Sequence, residues 1–478
     1  MSEDHVLSGC FDPAAKTANN TYHLSQRLVS VCQLATTKAG GSVPIWRYVE
    51  NQGIWKPDGE DFIRKEVDRV AVEFTSNHLA SEVIASVRAK AYVPDLRLGE
   101  TVSKIVCENG LLDIETGKLH GKFNPDEYHI TQLPITYDKN AKCPNFLKFL
   151  DEVVSIPDDR EAIIEIIGYT LLKVYVYEII ALFVGEGANG KSILLSVIKL
   201  FLGSENVSSV TPQQLEGSRF SSAQLFGKLA CVAGDIPSEP LKYTGILKML
   251  TGGDLIHAEH KNRDPFDFLN HAKLIFSANQ VPESWDSSQA FYRRFRIIDF
   301  PNQFSPNDKN FIPRDQLLEL LTSEKEKSGI LNLALEGLKR LRSQGQLTGE
   351  KTIDEKSMDF IQRSDSSLYF FKRFITRNHL AVDMPKAWLY SLYTKFCDAI
   401  DKTPVADSTF AKKIKRYVPY IGEGRPREGD QRVTVWTGFD FNQEEYDKEI
   451  AGQGGQGGQG SGTMAKSMDD GQELLSDE

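Results

Sequence analysis

The sequence predicts an α/β fold built on a parallel β-sheet with covering helices. Three observations support it: short apolar segments of strand length, helical patterns between them, and a glycine-rich turn after the first segment. The apolar segments are Ile179–Val184, Leu229–Ala233, Leu274–Ala278 and Arg296–Phe300. A composition of 40% hydrophobic and 26% charged residues is typical of globular proteins, and 478 residues are enough for about two to four domains.

Charge and hydropathy argue against several other classes of protein. The formal net charge of −10 does not suit a protein that coats nucleic acid over its whole surface, although a local basic groove is compatible with it. The longest apolar stretch, Ile163–Val184, contains three charged residues and is a poor membrane span. The first residues, Met1–His5, lack the basic start and apolar core of a signal peptide.

The six cysteines are scattered, and no two of them form a Cys-x-x-Cys pair. This spacing argues against a zinc ribbon or a disulfide framework. It is typical of proteins in a reducing compartment, so we expect a cytoplasmic protein without a membrane partner.

Two regions precede the predicted sheet. Residues 1–44 carry weak periodicity, and we expect a lead-in that is helical or partly disordered. Residues 45–158 are expected to form an N-terminal α/β accessory domain, because aromatic strands flank a turn at Glu50–Gly53 and strand and turn patterns cover Lys104–Leu133. Helical patterns here cover 60–77, 80–91, 144–154 and 160–174.

The glycine-rich segment is Gly185-Glu186-Gly187-Ala188-Asn189-Gly190-Lys191-Ser192, and a helical pattern follows it to Leu202. Strand, glycine-rich turn and helix in this order are the context that a phosphate-binding loop requires. The glycines let backbone N–H groups wrap around phosphates, the lysine brings charge to the β- and γ-phosphates, and the serine can ligate Mg²⁺. The sequence therefore predicts binding of ATP and Mg²⁺ by Gly185, Gly187, Asn189, Gly190, Lys191 and Ser192.

Hydrolysis of a triphosphate needs a carboxylate for the metal, a polar group for the attacking water and a cation for the developing charge. The second apolar segment is followed by Asp235, the expected metal ligand; the alternative is a turn aspartate before Pro237. The third segment is followed by Asn279, which is suited to orient water. Arg293 and Arg294 precede the last segment and are candidates for an arginine finger that reaches a neighbouring subunit's nucleotide; the alternative is an ordinary surface cluster.

A basic turn lies between the second and third apolar segments. The segment His257–Phe266 can form a hairpin whose tip carries His260, Lys261 and Arg263. No step of hydrolysis requires a basic hairpin, whereas a ring that grips a phosphate backbone does. These three residues are therefore candidate DNA contacts.

The C-terminal part of the chain is basic within an acidic protein. Residues 368–441 contain 13 basic and 8 acidic residues. Helical patterns at 368–377, 386–401 and 408–417, a turn at 422–427 and a strand at 432–437 are in the order of a winged helix, which we expect at 366–442. Its candidate DNA contacts are Lys412, Lys413, Lys415, Arg416, Arg425 and Arg427; the alternative is a solvated helix face.

The chain ends in Gly-Gln repeats followed by acidic residues at 451–478. Such a segment cannot bury enough apolar surface to fold, so we expect it to be disordered.

Taken in order, these motifs resemble those of superfamily 3 helicases, and more closely the helicase part of plasmid, phage and poxvirus-type primase-helicases. Three segments carry the resemblance: Gly187–Ser192 with Ala188 inserted, Leu250–Asp254 (Leu-Thr-Gly-Gly-Asp) and Ser277–Pro282 (Ser-Ala-Asn-Gln-x-Pro). Asp138–Glu152 resembles the region before the ATPase core of that family. The likeness covers roughly residues 45–440.

The resemblance implies an AAA+-type core at 159–350, a hexameric ring with ATP sites at subunit interfaces, and translocation on single-stranded DNA, typically from 3′ to 5′. It implies that Lys191 and Ser192 bind phosphate and Mg²⁺ and that Asp235 and Asn279 are the strand-end acid and the water-sensing amide. The same resemblance assigns the finger and the DNA-gripping tip to these residues: Arg293 or Arg294, and His260 with Lys261.

Two departures from the family pattern matter. Many members have two adjacent acids at the strand end, whereas Asp235 lies between Gly234 and Ile236, so the group that activates water is open, with Glu239 as a weak candidate. Many members also carry a primase domain upstream. We find no apolar strand here with the Asp-x-Asp pair that a polymerase-type metal site needs, and we expect no primase activity from this chain.

The sequence therefore predicts an ATP-dependent DNA helicase of a plasmid or virus replication system. Its expected partners are single-stranded DNA, a forked duplex, identical subunits in a hexamer, and a separate primase or other replication proteins. The alternatives are a DNA-packaging motor and a replication initiator that uses ATP for assembly without unwinding. A metabolic kinase is least compatible, because it has no use for the basic hairpin or the basic C-terminal domain.

Overall fold

The computed structural model describes residues 6–37, 43–72, 77–94, 98–99, 101–261, 263–378, 381–428 and 431–453. The chain divides into two compact units, residues 1–360 and residues 361–478. Most of the tail that we expect to be disordered, 454–478, lies outside the described residues.

Three helices form one layer of the accessory domain: α1 (Thr17–Val31), α2 (Gly59–Ala71) and α3 (Asn77–Lys90). Leu24 and Leu28 of α1 are fully buried in a cluster with apolar residues of the other two helices. Burial of a leucine contributes about 1.5–3 kcal/mol, so packing holds α1 in place. The described part of 1–44 therefore packs against helices that follow residue 45.

Two small antiparallel sheets complete this domain. The first contains β1 (Leu34–Ala35), β2 (Trp46–Val49) and β3 (Ile54–Lys56); the second contains β4 (Lys104–Cys107), β5 (Gly110–Asp113) and β6 (Leu119–His120). The expected turn at Glu50–Gly53 joins β2 to β3, and Gly53 there has a φ of +69° that favours glycine. The strand and turn patterns of this region are confirmed.

The next strands along the chain are β7 (Ile180–Val184), β8 (Val207–Ser208), β9 (Ala230–Ala233), β10 (Leu255–Ala258), β11 (Phe266–Leu269), β12 (Lys273–Ala278) and β13 (Phe295–Asp299). Five of them form one parallel sheet in the order β13-β7-β12-β9-β8, while β10 and β11 form a separate antiparallel hairpin. The four apolar segments of the sequence are all strands of this sheet. The predicted parallel α/β sheet is therefore confirmed, with small shifts in strand bounds.

All strands of a parallel sheet end at the same side, which we call the carboxyl edge, and begin at the opposite side, the amino edge. Ile180 of β7 pairs with Leu274 of β12 and with Phe295 of β13, so these three strands begin nearly level with one another. Strand β12 also lies between β7 and β9. The loops that follow β7, β9 and β12 therefore meet at the carboxyl edge.

Ten helices accompany these strands within the described residues: α4 (Pro144–Val153), α5 (Pro157–Thr170), α6 (Lys191–Leu202), α7 (Pro212–Gly217), α8 (Arg219–Ala223), α9 (Gly245–Gly252), α10 (Gln289–Tyr292), α11 (Arg314–Leu321), α12 (Glu324–Gln344) and α13 (Ile353–Ser364). A Cβ at Gly168 or at Gly337 would collide with the facing helix, so these two glycines let α5 and α12 pack closely. Residues 314–344 form two helices and not one, because Ser323 caps α12 by accepting a hydrogen bond from the Glu326 N–H.

Four helices and seven short strands begin within the described residues of the second unit, which has an aromatic core. Its elements are α14 (Ser366–Phe374), β14 (Ile375–Arg377), β15 (Met384–Pro385), α15 (Lys386–Ala399), α16 (Asp407–Tyr417), β16 (Gly422–Gly424), β17 (Arg427–Glu428), β18 (Gln431–Arg432), β19 (Val435–Thr437), β20 (Phe439–Phe441) and α17 (Gln443–Gln453). Strands β15, β19 and β16 form a three-stranded antiparallel sheet.

Two bounds of this unit differ from those expected. The first helix ends at Phe374, because Ile375–Arg377 pairs with Phe439–Phe441 as a strand. The domain also continues past residue 442, because Tyr446 of α17 is buried and donates a hydrogen bond to the carbonyl of Leu392.

None of the helices in the described ranges is long and apolar enough to cross a membrane. The six cysteines are free thiols.

The buried histidine of the accessory domain makes stability depend on pH. His129 is 1% exposed, and burial, followed by the nearby charge of Lys173, lowers its pKa from 6.5 to about 4. The unfolded chain binds a proton here near the higher value and the folded protein near the lower one. This contribution to stability is therefore complete above the unfolded pKa and is lost as the pH falls between the two.

We expect the urea midpoint of unfolding to fall between about pH 7 and about pH 5, and His129→Gln to reduce that fall. The glutamine amide can still donate to Glu127, which lies 3.1 Å from the histidine Nε2, but it does not titrate. Equal pH dependence in both proteins would contradict the assignment.

Candidate nucleotide site and basic hairpin

The phosphate loop lies between the end of β7 and the start of α6, at the carboxyl edge of the sheet. Ala188 and Gly190 have φ values of +59° and +89°, a region that strains most residues and not glycine. A Cβ at Gly185 would collide with Asn189 and with the carbonyl of Phe300. The Asn189 amide donates to that same carbonyl at 3.3 Å. The residues after β13 therefore brace the loop in its curve.

Lys191 is buried at the base of this loop with 3% of its surface exposed. Its ammonium group donates to the carbonyls of Gly185 and Glu186, to Asn189 Oδ1 at 3.0 Å and to Asn279 Oδ1 at 3.5 Å. Burial lowers the pKa of Lys191, and the charge of Asp235 acts in the opposite direction. The structure thus brings the loop lysine, the strand-end amide and the strand-end acid to one place.

Asp235 lies in a turn just beyond β9 and is exposed. Its N–H donates to the Ser277 hydroxyl at 3.3 Å, and the Ile236 N–H donates to the Ser277 carbonyl at 2.9 Å. Its φ is +49°, which aspartate tolerates better than most residues. Residue Ser277, fully buried in β12, therefore fixes the turn that presents the carboxylate.

The residues present fit a magnesium nucleotide. Gly187 and Ser192 are exposed, on the loop and in the first turn of α6, where helix N–H groups and the helix dipole favour phosphate. No group of three His, Cys, Asp or Glu side chains in the described part of the chain could hold a metal by itself. Mg²⁺ usually takes about one or two protein groups and completes its shell with phosphate oxygens and water, which suits Ser192 and Asp235.

A cavity of about 250 Å³ opens beside the loop. It lies on the β13 side, away from Asn279 and Asp235, and it is lined by 184–186, 299–301 and Gln303. The carboxyl edge therefore offers space next to the phosphate-binding backbone as well as the charged groups.

The two candidate finger arginines lie at the other edge of the sheet. They directly precede β13, whose first residue pairs with Ile180 at the start of β7. Five strand residues at about 3.3 Å each put this edge about 16 Å from the carboxyl edge. Neither Arg293 nor Arg294 is therefore placed to contact a nucleotide held by Lys191 of its own chain.

The side chain of Arg294 is fully engaged by groups of its own chain, which favours Arg293 over Arg294 as the candidate arginine finger. Its side chain is 6% exposed and donates to the Thr251 hydroxyl at 2.8 Å, to Glu178 at 2.9 Å and to the carbonyl of Ala290. Arg293 pairs with the other carboxylate oxygen of Glu178 at 2.5 Å, and its side chain is 43% exposed. Arg293 is thus the accessible member of the pair, and Arg294 is an internal anchor.

The predicted hairpin is formed by β10 and β11, with Leu255 opposite Leu269 and Ala258 opposite Phe266. Lys261 and Arg263 are exposed at its tip. His260 is exposed as well, and its ring stacks on Phe266 with centroids 5.2 Å apart. Burial, followed by the charge of Arg263, lowers the pKa of His260.

The basic residues of the C-terminal unit are only partly available. Lys413 pairs with the buried Asp365 at 2.9 Å, and Lys415 pairs with Glu423 at 2.8 Å. The exposed members of the set are Lys412, Lys415, Arg416, Arg425 and Arg427. Lys413 therefore has an acidic partner within its own unit.

Sequence reasoning missed Glu178, Thr251 and Ser277. A possible signal for Glu178 was its position just before β7, at the edge where the arginines must lie. Thr251 belongs to the Leu-Thr-Gly-Gly-Asp segment, but its contact with Arg294 depends on the fold. Ser277 gave no local signal, because a buried strand serine is chemically unremarkable until its neighbours are known.

Two family descriptions match parts of the chain. Residues 37–155 match the family described as "D5 N terminal like", and residues 183–294 match a family of unknown function, DUF5906. The second match covers the phosphate loop, the acid-ended and amide-ended strands, the hairpin and both arginines.

The chain is also similar to viral proteins. It is 23% identical over 381 residues to "Putative helicase L207/L206" of Acanthamoeba polyphaga mimivirus, which covers 74% of this chain and 39% of that protein. It is 27% identical over 232 residues to "Putative helicase 184R" of Invertebrate iridescent virus 6, with 44% and 23% covered. The chain thus spans less than half the length of these relatives.

Among solved structures, two A form apo structures of the NrS-1 C terminal region are similar at 12% identity, with TM-scores of 0.47 and 0.48. Each similarity covers 87% of this chain and 98% or 99% of the other. The family match and the viral relatives support a relationship with helicases of viral replication.

Lys191→Ala should lower the affinity for ATP with Mg²⁺ by about tenfold or more, because a charge-assisted contact to phosphate contributes about 1.5–3 kcal/mol. Titration calorimetry measures this directly. Lys199→Ala, near the other end of α6, removes the same charge away from the loop and should leave the affinity unchanged. Unaltered affinity in Lys191→Ala would place the nucleotide elsewhere.

Proposed function

We propose that this protein is an ATP-dependent DNA helicase of viral or plasmid replication, with a superfamily 3, AAA+-type core. One observation carries the proposal. A single parallel sheet holds the phosphate-binding groups at one edge and an accessible arginine at the other, and a basic hairpin is inserted between the strands that carry Asp235 and Asn279. The relatives named as helicases agree with this reading.

An AAA+-type assignment is supported by the order of the strands. Because β12 lies between β7 and β9, Asn279 sits beside the loop lysine while Asp235 approaches from the next strand. A γ-phosphate on the loop would then face an amide and a carboxylate together, which is the arrangement that hydrolysis by an activated water requires.

The separation of the two edges supports the proposal of a ring of identical subunits. Arg293 is about 16 Å from the loop of its own chain, which favours a role in hydrolysis at the site of a neighbour. Head-to-tail contacts of this kind close into a ring when the rotation permits. The hexamer is the closed ring that the resemblance to superfamily 3 implies.

In this mechanism, Lys191 and the loop N–H groups bind the β- and γ-phosphates of ATP. Ser192 and Asp235 would hold Mg²⁺, which would neutralise phosphate charge when bound. Asn279 orients the attacking water, and Arg293 of the adjacent subunit stabilises the charge that develops. Asp235 has no adjacent acid, and Glu239 stays a weak candidate for the group that activates water, while Asn279 is proposed to position that water.

The DNA contacts are proposed on two elements. Lys261 and Arg263 at the hairpin tip would bind the backbone of one strand by charge. In the second unit, the order α14, β15, α15, α16, β16 and β19 is that of a winged helix, with α16 as the candidate recognition helix and the β16–β19 ribbon as the wing. Translocation from 3′ to 5′ and cooperation with a separate primase are carried over from the resemblance.

The direct test is DNA-stimulated ATP hydrolysis together with unwinding of a tailed duplex by the purified chain. Stimulation without strand separation would favour a packaging motor, and ATP-dependent assembly without turnover would favour an initiator. A protein that shows none of these activities would overturn the proposal.

Lys261→Ala should leave hydrolysis without DNA within about twofold of the native rate and lower unwinding by about tenfold, because it removes a phosphate contact and no nucleotide contact. The rates are measured with and without single-stranded DNA. Lys339→Ala, an exposed lysine of α12, is the control and should change neither rate. Equal loss of both activities in Lys261→Ala would place this residue at the nucleotide.

A further inference from the structure

A continuous chain of polar contacts runs from the accessible arginine to the root of the hairpin. Both oxygens of the Glu178 carboxylate are in use, one by Arg293 at 2.5 Å and the other by Arg294 at 2.9 Å. The Nε–H of Arg294 donates to the Thr251 hydroxyl at 2.8 Å, and that hydroxyl donates to the Leu247 carbonyl at 2.8 Å.

This series of polar contacts ends at two buried residues, Arg294 and Thr251, so a small movement there affects their hydrogen bonds. Thr251 has no exposed surface, and Arg294 is 6% exposed. A buried guanidinium must keep its partners, because leaving a charged donor without an acceptor in the interior is costly. A shift of Arg294 therefore either carries the end of α9 with it or breaks a hydrogen bond that has no replacement in water.

The end of α9 is tied to both sides of the hairpin. Thr251 is separated from the first residue of β10 by Gly252, Gly253 and Asp254. On the other side, Asn270 directly follows β11, is buried, and donates to the Leu250 carbonyl at 2.8 Å. The root of the hairpin must therefore follow the position and tilt of α9.

We propose that Glu178, Arg294 and Thr251 form a mechanical link that reports the state of the neighbouring subunit's nucleotide to the DNA hairpin. When the neighbouring subunit binds its nucleotide, Arg293 leaves Glu178 and contacts the phosphates. The Glu178 carboxylate then pairs with Arg294 alone. Arg294 shifts in response and moves the end of α9 together with the root of the hairpin. These are positioning residues, not catalytic ones. The inference rests on the proposed helicase function and adds the route of coupling within it.

Removing the Thr251 hydroxyl is the most selective way to interrupt this link. Thr251→Val keeps the shape and removes the acceptor, and Thr251→Ser restores it. Thr170→Val is the matched control, since Thr170 is also buried and also donates to a backbone carbonyl, of Ile167, with no arginine attached. The full chain is assayed with ATP for hydrolysis, with and without single-stranded DNA, and for unwinding of a tailed duplex.

We expect Thr251→Val to raise the number of ATP molecules hydrolysed per base pair unwound by about fivefold or more, with hydrolysis in the absence of DNA nearly unchanged. Thr251→Ser and Thr170→Val should keep the native ratio. A loss of stability alone would lower both activities in proportion to the folded fraction and would leave the ratio unchanged. A native ratio in Thr251→Val overturns the proposal, as does an equal rise in Thr170→Val.

Glu178→Gln tests the same link if Thr251→Val does not fold, because Glu178 is 34% exposed and its replacement leaves no buried void. It should also raise the ATP used per base pair, and a native ratio would overturn the link. Absence of unwinding by the native protein is a different result, since it removes the proposed function itself.

Discussion

The parallel direction of the central strands is the constraint on which the rest of this molecule depends. Strands that run the same way collect their ends at one edge and their beginnings at the other. The loop after β7, the turn after β9 and the amide after β12 meet at the carboxyl edge because their strands are adjacent. The residues before β13 must then lie at the opposite edge, whatever their chemistry.

The buried charged residues at the two edges have different kinds of partners, which keeps the roles of the two edges distinct. At the carboxyl edge, Lys191 uses backbone carbonyls and two amide oxygens as partners, all of which phosphate oxygens can replace. At the amino edge, Arg294 uses a carboxylate and a hydroxyl of its own chain, which a ligand does not replace. At the carboxyl edge, Lys191 can therefore exchange its partners for a nucleotide. At the amino edge, Arg294 keeps its partners, and the neighbouring Arg293 remains accessible.

The sequence was informative where the signal is local. Apolar runs of strand length located β7, β9, β12 and β13, and the glycine-rich turn between strand and helix located the loop. The parallel sheet follows from their helical connections. The basic hairpin was also found, because its turn lies between two strand patterns.

The rest depends on contacts between distant segments. Helix α1 has little periodicity, but Leu24 and Leu28 are buried by helices that come later in the chain. Arg294 and Lys413 carry the expected chemistry for binding, yet they are paired with Thr251 and Asp365 of the same chain. A residue type gives the chemistry available at a position, and only the fold decides whether that chemistry faces a ligand.

The central claim is that Lys191 at the carboxyl edge binds the nucleotide of its own subunit, whereas Arg293 at the amino edge acts on the nucleotide of the neighbouring subunit. It is tested by mixing Lys191→Ala with Arg293→Ala subunits before ATP-dependent assembly and measuring ATP hydrolysis. Each variant alone should be nearly inactive, whereas random assembly gives about a quarter of the interfaces an intact loop and an intact finger, so the mixture should recover about that share of the native rate. A mixture no more active than the two variants measured separately would contradict the account, because both residues would then act within one subunit.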